Sequence, residues 1–157
     1  MKFNSQICTD KNQSERLLAL GLKKETADMY ITNMSRKGLN YTDNWQIGSI
    51  SYCDVMSFWD SKGLQLEKTA WSIIPAWSLG RLLELLPSPI KLKDDLPTFH
   101  PYAFLGLSQV SVKYHWRDYD EEERNLVGFY GNGFFAAVVD AIEWLIKEGY
   151  FNKEYLV

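Results

Sequence analysis

Apolar positions recur along the chain with two periods, and the change from one to the other separates helices from strands. From Asp10 to Leu20 the spacing predicts a helix, with Thr9 or Asp10 to cap its free amides and Gly21 to end it. Ala27, Tyr30, Ile31 and Met34 follow the i, i+3, i+4, i+7 rule, which predicts a second helix from Lys24 and hence an N-terminal helical hairpin. Trp45, Ile47 and Ser49 alternate with Gln46, Gly48 and Ile50, the pattern of a strand near Asn44–Cys53, and Asp60–Gly63 reads as a turn. Ser78 stands before a helix whose stripe is Leu79, Leu82, Leu83 and Leu86 and which Pro87 ends. The proline-rich stretch Pro87–Pro101 reads as a surface connection.

The second half of the chain turns to period two. Tyr102–Gln109 is an apolar run that suits a covered strand. Val110, Val112, Tyr114 and Trp116 alternate with Ser111, Lys113, His115 and Arg117, which marks a strand with one buried and one wet face. The acidic run from Asp118 to Glu123 reads as a hairpin tip, and Arg124–Tyr130 as the returning strand. A last helix runs from Gly133 to Lys147, with Asn132 as cap and Gly149 as stop. Its narrow polar stripe, Asp140, Glu143 and Lys147, demands burial on most sides. The fold expected is therefore a single α+β domain over residues 1–157: a small antiparallel sheet against an apolar C-terminal helix, preceded by a helical hairpin.

Composition narrows the function classes. The longest apolar run, Phe134–Val139, is far short of the roughly 20 residues that span a bilayer, so no membrane partner is expected. No apolar signal region opens the chain. Two cysteines without CxxC spacing argue against a zinc site or a disulfide framework and suit a reducing cytoplasm. No metal or cofactor is expected. Charge is divided: residues 1–40 hold seven Lys/Arg against four Asp/Glu, a balance of +3, and residues 41–157 hold ten against sixteen, a balance of −6. Whole-protein attraction to nucleic acid is thus not favoured, although a locally basic N-terminal part remains.

The blocks Ser14–Tyr30, Ile74–Pro87 and Ala136–Tyr150, in that order, resemble a family of small proteins from gut Bacteroides-type bacteria and their prophages or mobile elements. The resemblance implies a bacterial or phage cytoplasm and an accessory role. It carries over no catalytic or binding residue, and the aromatic-rich segment from Asn40 to Trp71 departs from the pattern.

Four constellations could carry chemistry. Leu17, Gly21, Leu22 and Thr26 stand where a helix-turn-helix places its packed and turn residues, which would let Lys23 and Lys24 meet phosphates; Glu25 and Asp28 oppose that use. The wet hairpin face, Lys113, His115 and Arg117 with Asp118 and Asp120 at the tip, offers a partner-binding surface; the plainer reading of the tip is a solvated turn. His100 or His115 could serve a thiol as base, but no nucleophile motif joins them to Cys8 or Cys53. Among the aromatics, Trp59 beside Asp60 is the ring expected to be exposed, while Trp71 and Trp77 look like core. The balance favours a non-enzymatic binding protein, meeting a protein partner or a second copy of itself through an aromatic-rich surface. A DNA-binding regulator is the alternative, and a small-ligand binder or enzyme built around a histidine is the third reading.

Overall fold

The computed structural model describes residues 6–34, 45–48, 51–62, 71–91, 98–105, 110–117, 123–131 and 133–157. It is an α+β protein, with two antiparallel sheets among the described residues. The chain divides into two compact units, Met1–Arg81 with Tyr155–Val157, and Leu82–Glu154.

In the first unit, α1 (Lys11–Ala19) begins as expected: Asp10 accepts from the Gln13 amide at 2.8 Å, while the Gln13 side chain accepts from the Asp10 amide at 3.0 Å. This reciprocal box satisfies two of the helix's free donors. Gly21, at φ +89°, makes the left-handed stop. The expected second helix does not form. Lys24–Thr26 is a single 3₁₀ turn, and β1 (Met29–Met34) follows as a strand. The spacing of Ala27, Ile31 and Met34 fits a helix, but Tyr30-Ile31-Thr32 favours an extended chain, and β1 gains neighbours on both sides. It pairs antiparallel with β2 (Trp45–Gly48) and with β3 (Trp71–Ala76), giving the order β2-β1-β3. The register lines up Ile47, Ile31 and Ile74 in one row, and Cys8 packs with Ile31, Ala76 and Ile74. Between β2 and β3 lies α2 (Tyr52–Ser61), a helix where the sequence suggested only strand and turn.

Trp77 holds this unit together. It is fully buried, its backbone exchanges bonds with Thr9 (Thr9 amide to Trp77 carbonyl, 2.9 Å; Trp77 amide to Thr9 Oγ1, 3.0 Å), and its indole Nε1 donates to Thr26 Oγ1 at 2.9 Å. The next residue, Ser78, donates through both its amide and its hydroxyl to the Asp28 carboxylate. Ser78 Oγ also accepts from the Arg81 amide, capping α3 (Leu79–Glu84) as expected. Arg81 Nε donates to the Thr26 carbonyl at 2.9 Å. From Leu82 the chain belongs to the second unit: Leu82, Leu85 and Leu86 are buried, the last two beyond the end of the helix, and Leu83, expected inside, is exposed on a side of α3 turned away from Leu82. The C-terminus docks on the first unit: the Val157 amide donates to the Gly21 carbonyl and the Lys23 amide to the Tyr155 carbonyl.

The second unit carries the sheet β4-β5-β6-β7, with β4 (Ile90–Lys91), β5 (Thr98–Leu105), β6 (Val110–Arg117) and β7 (Glu123–Gly131) all antiparallel. Pro87–Pro101 is thus not merely a surface connection. Ile90 and Phe99 are buried register partners, and β4 pairs only with Thr98 and Phe99, so Pro101 has β6 as its paired neighbour and withholds no bond from a second strand. α4 (Phe134–Lys147) packs on β6 and β7. Its N-cap is Gly133, with no side-chain capping bond; the cap expected at Asn132 lies outside the described residues. Phe129 of β7 meets Trp144 of α4 with ring centroids 5.9 Å apart, and Trp144 meets Tyr150 at 5.6 Å.

Two threonines of the first unit provide a matched test. Thr26→Val leaves the Trp77 indole buried without its acceptor and should cost about 1–3 kcal/mol. Thr32 is 3% exposed and its hydroxyl has no hydrogen-bond partner among the described residues, so Thr32→Val should be neutral or stabilising. Urea unfolding midpoints at constant slope report both changes.

Candidate functional site

The two faces of the four-stranded sheet have opposite fates. Val112 and Tyr114 of β6 are fully buried, and Val112 is the register partner of Phe129, the ring that meets α4. Tyr114 also donates its hydroxyl to the Pro87 carbonyl at 3.0 Å, and burial pushes its phenol pKa well above the ordinary range. Side chains alternate across a strand, so Ser111, Lys113 and His115 belong to the other face. Lys113 and His115 are half-buried there, and Ser111 is buried.

The register places Gly128 opposite Lys113 and Tyr130 opposite Ser111. Tyr130, two residues beyond Gly128 on the same strand, folds its ring back over the glycine. A Cβ at Gly128 would stand 3.1–3.3 Å from the Tyr130 hydroxyl and ring carbons. The missing side chain is therefore what makes room for the ring. Lys113 Nζ lies 5.7 Å from the ring centroid, within cation–π range. Tyr130 nevertheless remains 52% exposed, one residue before the end of β7. On the β5 side His100 is the register partner of His115, and its Nδ1 lies 3.3 Å from Ser88 Oγ. The arrangement is an aromatic shelf with a cation near it and two imidazoles opposed across β5 and β6.

Of the residues singled out from the sequence, Lys113 and His115 share this face. The side chains of Trp59 and Arg117, and the whole of Asp118 and Asp120, lie outside the described residues. Among the described side chains of α2, Phe58 is an exposed ring, with Lys62 Nζ 5.7 Å from its centroid. Tyr130 and its glycine were missed, although an aromatic two positions after a glycine in an alternating strand was the available signal. Lys23 and Lys24 flank the start of the 3₁₀ turn and, with Leu18, Leu22, Glu25 and Val157, line an open cavity of about 630 Å³. With β1 a strand, the helix that a helix-turn-helix would place in a DNA groove is absent.

Cys8 lines a second cavity of about 420 Å³ with Ile7, Ile31, Ile47 and the start of α1. Its thiol is 3% exposed; burial first, then the Asp28 and Asp10 carboxylates, push its pKa up to about 11. These influences oppose a thiolate nucleophile. The folded state therefore holds this proton more tightly than the unfolded chain, and the stability it contributes, about 2–3 kcal/mol, should be present below pH 9 and be lost as pH rises toward 11. Urea midpoints between pH 9 and 10 should fall in the native sequence and stay flatter in Cys8→Ala.

Compared with family models, with curated proteins and with solved structures, the chain matches none. Among the described residues, no group of three or more His, Cys, Asp or Glu converges to hold a metal, and no helix is long and apolar enough to cross a membrane. The open sheet face around Tyr130 and Lys113 is the strongest candidate site.

Proposed function

We propose that this protein is a binding module that engages a protein partner, in the bacterial or phage cytoplasm implied by the sequence resemblance, through the open face of its four-stranded sheet. The observation that supports this reading is Tyr130: a large ring half exposed near the end of β7, lying over Gly128 and in reach of the Lys113 ammonium. Rings held in one orientation lose little entropy on binding, and tyrosine combines apolar area with a hydroxyl for the rim, which is why such residues dominate contact energies. Lys113 and the histidine row make the surface one that an acidic or aromatic segment complements. The partner is a different protein or a second copy of this chain, and the shelf serves either.

The test is a pair of variants that leave the α4 face untouched. Tyr130→Ala should weaken partner capture or self-association about ten-fold or more, and Lys113→Ala less, with the circular dichroism spectrum unchanged. Light scattering across the micromolar range reads self-association, and affinity capture with the variants as controls reads a foreign partner. A strictly monomeric protein whose captured partners are indifferent to Tyr130→Ala would contradict the proposal.

A further inference from the structure

The chain has two histidines, and the fold sets them directly opposite one another: His100 on β5 is the register partner of His115 on β6. Opposed residues of an antiparallel pair leave the sheet on the same face with Cβ atoms about 4.5–5.5 Å apart. From there two imidazoles can each turn a nitrogen to a common point about 2.0–2.1 Å from both, the bond length of a zinc–imidazole contact. His100 is exposed and His115 half-buried, so such a point is reached from water on one side and sheltered on the other.

Two further features favour ligation. Ser88 Oγ lies 3.3 Å from His100 Nδ1. A proton on Nδ1 donated to that oxygen leaves the lone pair on Nε2, and orients the ring in the way that outer-shell hydrogen bonds orient metal-bound histidines. In addition, the pairing of β6 with β7 shifts register beside His115, where Leu126 of β7 is the extra, unpaired residue. A bulge of this kind locally disrupts the ladder and increases the twist next to the histidine pair.

We propose that His100 and His115 form a two-imidazole site for a borderline divalent transition metal, which clips β5 to β6. Imidazole ligands suit zinc, nickel or copper(II), whereas magnesium and calcium seek oxygen. With two protein ligands, the cation keeps water at its remaining positions. This site rests on strand register and stands or falls apart from the role of Tyr130.

Full-length protein freed of metal by a chelator should bind one Ni²⁺ or Zn²⁺ per chain by titration calorimetry. Metal at ten-fold excess over its dissociation constant should raise the thermal midpoint by about 3 °C or more, while Mg²⁺ leaves it unmoved. His100→Ala and His115→Ala should each weaken binding at least ten-fold, and His100, being exposed, should be replaceable without loss of fold. Cys53→Ser should bind as the native sequence does. Absence of binding at millimolar metal, or binding that survives His100→Ala or is lost in Cys53→Ser, would overturn the site.

Discussion

An apolar helix has to be covered, and α4 packs on one face of the four-stranded sheet, against β6 and β7. Ala137, Val138, Val139, Ala141, Ile142 and Leu145 are all fully buried. Each of the larger ones contributes roughly 1.5–3 kcal/mol by leaving water, which outweighs any single polar contact in this unit. That demand fixes which face of β6 and β7 turns inward, because a slip of one residue would exchange Val112 and Tyr114 for Lys113 and His115. The face left over is not a second core but a surface, and its chemistry follows from the same alternation. Tyr130, Lys113 and the paired histidines stand together because the buried residues between them have to stand together.

The first unit is held by a different device. Trp77 and Ser78 gather segments far apart in sequence, with Thr9 from the approach to α1, Thr26 and Asp28 from the turn before β1, and Arg81 from α3. The Trp77 amide and carbonyl both bond to Thr9 and its indole bonds to Thr26, so the tryptophan is buried with its polar groups met. The same packing places Cys8 beside Asp28 and Asp10, where its thiol is stabilised against ionisation. This unit is specified by polar contacts around an aromatic anchor, whereas the second is specified by area.

Where one signal dominated, the structure was legible in the sequence. The N-cap of α1, the apolar excess of α4, the alternation in β6 and the return of β7 depend on local pattern and were read correctly, while the reciprocal Gln13 bond of the cap was not anticipated. β1 was misread because four residues satisfied helical spacing while the decisive contribution, pairing with β2 and β3 on both sides, is non-local. α2 was missed although Ser51 and Asp54 carry a cap signature: Ser51 Oγ accepts from the Asp54 amide at 3.2 Å and donates to its carboxylate at 2.6 Å. For the site, alternation found Lys113 and His115. The Tyr130 shelf depends on how a ring uses the space over Gly128, and the histidine pair depends on the register of β5 against β6, neither of which composition reports.

The central claim is that one face of this sheet is core and the other is a free, preformed surface. Hydroxyl-radical footprinting of the native protein, read by mass spectrometry at each tyrosine, measures this directly. Tyr130 should be modified readily and Tyr114 only when the protein unfolds. Equal protection of the two rings would mean that the open face is covered, and would contradict the account.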